Sequence, residues 1–254
     1  IADLSYYTLE KLADITPGYS TRKSLGNTVF ETRGTYGDLN AKHLLLLDGI
    51  PVNFARDYQA IAQEQLPLHF AEQVEFLRGP ASALYGVSAF NGVINISSQE
   101  LDEEGSRFTG YISKGSFDSE QRQMFTNLFK SPLNSVHFSY GHYSKQDSLS
   151  IIPGYSPLEI DEDNDGAVDR TYNVNNRLRD GQSSQFMYLK YSPNYLNLSD
   201  FSFGIINMKK QSNYWESWNG GQDTSEINLE VRDSWIYYIK YNKAIYDNLA
   251  LNTY

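Results

Sequence analysis

The densest group of chemically capable side chains lies at Asp161 to Asp169, which reads DEDNDGAVD. Asp161, Asp163 and Asp165 stand at alternate positions, and Gly166 follows where a sharp turn is needed, as in the opening half of a calcium loop. Ala167 would add a backbone carbonyl and Asp169 the next side-chain ligand. The place of the bidentate glutamate is taken by Tyr172, so any Ca2+ is expected to bind weakly, in the range of extracellular sites. Six carboxylates between residues 159 and 169 repel one another unless they share a cation, although a solvated acidic loop has the same composition. Tyr214, Trp215 and Trp218 form a second group, suited to stacking on a planar or hydrophobic ligand and equally to an interfacial aromatic belt. Catalysis finds no support. The histidines His43, His69, His137 and His142 are scattered, and the odd spacing of the last two sends them to opposite faces of a strand. No nucleophile is paired with a base in a recognisable context. The chain therefore reads as a non-enzyme that requires no cofactor, the 159–172 loop being a candidate site for a structural Ca2+.

Composition narrows the partners. A net charge of −10 supplies no basic stripe for nucleic acid. With no cysteine, disulfides and thiolate chemistry are excluded. No apolar run approaches the roughly 20 residues of a spanning helix, and the mean hydropathy is −0.51. Transmembrane β-strands escape both tests, because each is short and alternates lipid-facing with lumen-facing side chains. The 20 Tyr and 13 Phe suit strands at a membrane boundary.

Two textures divide the chain. Residues 1–99 mix short helices and short apolar strands, an α+β unit with a modest core. Leu9, Leu12 and Ala13 have helical spacing, and Pro17-Gly18 ends that helix. His43 to Leu47 reads as a strand buried on both faces, turned by Asp48-Gly49. A second helix is expected over Tyr58 to Gln65, a strand at Val74 to Leu77, a short helix from Pro80 to Tyr85 and a last strand at Val93 to Ile96.

From 105 to 254 the period is two. Seven strands are expected: Phe108–Lys114, Gln123–Lys130, Ser135–Tyr143, Gln185–Tyr191, Phe201–Met208, Trp235–Asn242 and Leu249–Tyr254. Val136, Phe138 and Tyr140 share one face, as do Trp235, Tyr237, Ile239 and Tyr241. The second, fourth and sixth connections are short, while 145–180 and 214–233 are long. That alternation matches an outer-membrane barrel with short periplasmic turns and long extracellular loops. Seven strands cannot enclose the first unit, since large plugged barrels use about 22, so an incomplete antiparallel transmembrane β-barrel is expected.

The most specific stretch is Val74 to Ile96, VEFLRGPASALYGVSAFNGVINI. It closely resembles the plug domain of TonB-dependent outer-membrane receptors. LADITPGY at 12–19, Thr32-Arg33-Gly34 and LLLLDGIPVN at 44–53 resemble the same family's further plug elements, in family order. The resemblance implies ligand-gated import of a scarce metal chelate, an iron–siderophore first. It also implies energy from the inner-membrane TonB complex through a box expected before Ile1. Cobalamin or haem import, a signal-transducing receptor and a non-transporting barrel are the alternatives. Outer-membrane lipid and the chelate would be the partners. Gly34, Asp48, Gly49, Gly79, Pro80, Gly86 and Gly92 would form the plug turns, and Arg33, Glu75 and Arg78 would face barrel-wall carboxylates through breakable charged hydrogen bonds.

Overall fold

A computed structural model describes residues 8–24, 27–34, 40–63, 65–115, 120–146, 158–160, 170–172, 182–194, 201–214, 228–246 and 249–253. The N-terminal unit begins with helix α1 (Leu9–Ile15), which buries Leu9, Leu12 and Ala13 against the hairpin β1 (Tyr19–Ser24) and β2 (Asn27–Thr32). Next come β3 (His43–Leu47), β4 (Ile50–Pro51), β5 (Ala71–Arg78), the four-residue helix α2 (Ser82–Tyr85) and β6 (Gly92–Ser98). They form one sheet in the order β4-β3-β6-β5, parallel only between β3 and β6.

The apolar run of β3 is buried at every position, as its composition requires, because two clusters use its two faces. Leu45 and Leu47 join the main core, while Leu44 and Leu46 pack with Ala81, Ala89 and Val93. The strand ends in a two-residue turn in which Asp48 and Gly49 both have positive φ (50° and 80°), the conformation that Asp-Gly favours in tight hairpins. His43 starts the strand almost fully buried beside the rings of Tyr19 and Phe30, and its Nε2 has no hydrogen-bond partner among the described residues.

Among the described residues of 58–65 no helix forms, contrary to the expectation from the apolar spacing. Ala60, Ile61 and Ala62 are buried in succession, which a one-sided helix cannot do. Their backbone is instead held by neighbouring segments. Ala60 N–H donates to the Asn40 carbonyl, the Asn40 side-chain amide donates to the Ala60 carbonyl at 2.9 Å, and Glu10 N–H donates to the Ala62 carbonyl. Tyr58, at φ 57°, gives its carbonyl to the Asn53 amide at 2.7 Å.

The remainder is a seven-stranded antiparallel meander: β7 (Gly105–Lys114), β8 (Glu120–Lys130), β9 (Asn134–Lys145), β12 (Gln182–Pro193), β13 (Phe201–Tyr214), β14 (Asn228–Tyr246) and β15 (Leu249–Thr253). A small hairpin of β10 (Leu158–Ile160) and β11 (Arg170–Tyr172) lies in the long connection between β9 and β12. All seven expected strands occur in order, and several run further than the period suggested. Tyr214 pairs with Asn228, so β13 and β14 continue into the segment expected to be loop. At 14 and 19 residues these two exceed the roughly 10 needed to cross a bilayer.

Alternation sorts the two faces. Trp235, Tyr237 and Ile239 point outward and are 51–70% exposed, whereas Tyr238 between them is 9% exposed. Phe186, Tyr188, Ile206, Met208 and Tyr238 point inward and share one core cluster with Leu9, Leu45, Phe70 and Ile96 of the N-terminal unit. The Phe70 and Phe186 rings stack at 4.9 Å across this joint.

Burial holds the His43 imidazole near pKa 4, well below its usual 6.5. The unfolded chain therefore takes up the proton first as pH falls, so the His43 contribution is present above pH 6.5, is lost between 6.5 and about 4, and stays flat below. The loss should reach about 3 kcal/mol. Denaturation of the full-length protein, with amide exchange at β3, should show this slope in wild type and lose it in His43→Leu.

Candidate functional site

The tight β3–β4 turn places Asp48 at the joint between the N-terminal unit and the seven-stranded meander, the wall of the expected barrel. Its carboxylate accepts from both sides. From the unit, Ser98 donates its N–H to Oδ1 at 2.8 Å and its hydroxyl to Oδ2 at 2.7 Å. From β12 of the wall, the Tyr188 hydroxyl donates to Oδ2 at 2.5 Å and the Lys190 ammonium at 3.2 Å. From β14, Lys240 donates to the Asp48 carbonyl at 2.7 Å. Burial pushes the Asp48 carboxyl up, but the Lys190 charge and the hydrogen bonds from Ser98 and Tyr188 outweigh it and hold the group below its usual range.

Further ties surround this clamp. Lys190 also donates to Glu100 at 2.6 Å. Lys130 holds the connecting segment through the carbonyls of Leu101 and Asp102, each at 2.8 Å. His137 Nδ1 lies 3.0 Å from the Gln99 carbonyl, and since a carbonyl only accepts, that nitrogen carries a proton. Higher on β14, Arg232 reaches Asp57 at 3.2 Å and the Gln59 side chain at 2.7 Å, with the Phe54 ring below it. Beneath the Asp48 clamp a cleft of about 360 Å3 separates the unit from the wall, lined by Glu100, Lys130, His137, Lys190 and Lys240 among others. Charged hydrogen bonds spread over one joint can be rigid when closed and yet break one by one.

The three residues expected to face barrel-wall carboxylates make contacts within the N-terminal unit. Arg78 Nη1 donates to the Pro17 carbonyl at 2.8 Å, and Glu75 accepts from the Asn95 amide at 2.9 Å. Both lie on β5, an edge of its sheet. Arg33 has φ 51° and its guanidinium lies near Gly79. Of the turn residues, Gly34, Asp48, Gly49, Gly79 and Gly86 have positive φ, Pro80 precedes α2, and Gly92 opens β6. Asp161, Asp163, Asp165 and Asp169 lie outside the described residues, as do Trp215 and Trp218; Tyr214 ends β13.

Asp48 was legible only as a turn residue. Its wall partners carried a signal that went unread: if Met187, Leu189 and Tyr191 face lipid, then Tyr188 and Lys190 face the lumen. The stripe from Trp235 to Tyr241 likewise turns Tyr238 and Lys240 inward.

Residues 1–93 match the family model described as TonB-dependent Receptor Plug Domain. These residues form a TonB-dependent receptor plug domain. The plug and the wall strands together resemble solved receptors. Against the ferric yersiniabactin uptake receptor FyuA of Yersinia pestis the TM-score is 0.63 at 21% identity, covering 99% of this chain and 38% of that one. Against the FrpB iron transporter of Neisseria meningitidis it is 0.61 at 14% identity, covering 97% and 37%. Against the ferric enterobactin receptor PfeA of Pseudomonas aeruginosa it is 0.58 at 17% identity, covering 94% and 37%. The likeness is one of fold, and the chain spans less than two fifths of each of these proteins. TonB-dependent receptors sit in the outer membrane of Gram-negative bacteria, the setting that accounts for a sheet apolar and aromatic on one face and clamped to a plug on the other.

Asp48→Asn keeps the shape of the clamp and removes the charge that Lys190 faces. In the full-length receptor, amide exchange at Gly49 and Ser98 should rise roughly 30-fold, as for the loss of about 2 kcal/mol from a charged hydrogen bond. Because folding lowers the Asp48 pKa, wild type should keep the clamp above pH 4 and lose it as pH falls further, through the folded pKa. Asp48→Asn should show no such acid step.

Proposed function

We propose that this chain is the plug and the first wall strands of an outer-membrane importer for a scarce metal chelate, with an iron–siderophore as the leading cargo. The observation that carries this reading is the plug seated against the lumen face of the wall and fastened there by Asp48, Tyr188 and Lys190. A permanent seal would be served as well by apolar packing, whereas charged bonds around a polar cleft suit a joint that must open. Opening needs work, and the plug family supplies the source: the inner-membrane TonB complex, pulling from the periplasm. The iron receptors FyuA, FrpB and PfeA share the fold, which supports an iron chelate as cargo. In this reading Arg33, Glu75 and Arg78 act on the side of the plug that β7 to β15 do not cover, and their wall partners belong to strands completing the lumen. The chain carries out no covalent chemistry.

Growth of cells with and without the gene, on different ferric chelates and on cobalamin as sole sources, tests the import reading. One ferric chelate should require the gene; growth indifferent to the gene on every source would contradict import. In the same cells Arg78→Ala should lower uptake several-fold while surface binding of that chelate stays within about twofold. Equal loss of both would assign Arg78 to the binding site instead.

A further inference from the structure

Gly204 lies on β13 directly between Lys190 of β12 and Tyr238 of β14, and all three belong to the lumen side of the wall. A Cβ built on Gly204 would collide with Cε1, Cζ and the hydroxyl of Tyr238. The Tyr238 ring therefore lies across β13, over the bare glycine backbone. Its hydroxyl reaches a residue two strands away, 3.1 Å from that of Tyr188. Any side chain at 204 would close that route.

The direction of the hydrogen bonds follows from counting protons. Ionised Asp48 can only accept, and the single Tyr188 proton goes to it at 2.5 Å. The Tyr188 oxygen must then accept from Tyr238, so the chain runs from Tyr238 to Tyr188 to Asp48. Tyr188 is fully buried and Tyr238 is 9% exposed, so neither hydroxyl has water as a ready substitute. Strand β14 thus holds Asp48 twice: Lys240 takes its carbonyl directly, and Tyr238 acts on its carboxylate through Tyr188.

We infer that Gly204 and Tyr238 are positioning residues for the plug latch: the gap in β13 lets a tyrosine of β14 orient the Tyr188 hydroxyl that holds Asp48. The inference rests on the latch described under the proposed function and adds the residues that set its strength. The Tyr238 hydroxyl bonds to Tyr188 and the Tyr188 hydroxyl to the Asp48 carboxylate, so the hydrogen-bond route from Tyr238 to Asp48 runs through Tyr188.

The test uses the full-length receptor, reading amide exchange at Gly49 and Ser98, with chelate uptake measured separately in cells. Tyr238→Phe keeps the ring and its packing and removes only the hydroxyl. It should accelerate exchange roughly fivefold, as for one neutral hydrogen bond. Gly204→Ala should do at least as much. Tyr238→Phe should add nothing once Tyr188→Phe is in place, and Gly204→Ala should be nearly silent in a Tyr238→Ala background, where no ring remains to displace. Unchanged exchange in Tyr238→Phe, effects of Tyr188→Phe and Tyr238→Phe that simply add, or an undiminished Gly204→Ala effect without the Tyr238 ring would each overturn the inference. Exchange that responds as expected while uptake does not change would support the positioning role and count against the import reading.

Discussion

The structure turns on one buried carboxylate that stays ionised. Asp48 sits in a hairpin turn at the surface of one folded unit and at the inner face of another, largely shielded from water, its side chain 12% exposed. An isolated charge there would be untenable and would take up a proton. It remains charged because two donors from Ser98 and two from β12 converge on its oxygens. Half of that donor set belongs to the plug and half to the wall, so the solvation of Asp48 is complete only when the two are docked. Removing the plug leaves Asp48 short of donors and Lys190 with Glu100 as its remaining carboxylate partner. The cost of separation is therefore electrostatic as well as hydrophobic.

The apolar part of the joint has a different character. Phe70 on Phe186, with Tyr188, Ile206 and Met208 nearby, continues the plug core into the wall without a boundary. Such packing is strong and non-directional, and it sets where the plug rests. The charged ties lie around it: Asp48 with Lys190 and Lys240 beside the polar cleft, and Arg232 with Asp57 and Gln59 further along β14. Strands β12 and β14 both take part in the two kinds of contact, which couples these wall elements to the state of the plug.

What could be read in advance follows from how local each constraint is. The wall strands were legible because a strand with lipid on one side and plug on the other must alternate, and Trp235 to Tyr241 does so without interruption. The buried strand His43–Leu47 and its Asp-Gly turn were legible for the same kind of reason. The segment at 58–65 misled because its apolar spacing suggests a helix, while the side chains of Asn40 and Asn53, outside the segment, claim its backbone. The β1–β2 hairpin went unread, its polar strands giving little periodicity. At the site, the glycines of the plug turns were evident from residue type alone. The latch was not, because Asp48 meets Tyr188 and Lys190 across some 140 residues of chain. Strand parity does turn Tyr188, Lys190, Tyr238 and Lys240 inward, but parity names no partner.

The central claim is that Asp48 and Lys190 act as one unit fastening plug to wall. A double-mutant cycle in the full-length receptor measures this directly, with Asp48→Asn, Lys190→Gln and the pair compared by the free energy of opening from amide exchange at the β3–β4 turn. The account predicts a coupling of about 1.5 kcal/mol or more, each single change spoiling much of what the other would. Single effects that add to within about 0.5 kcal/mol would contradict it.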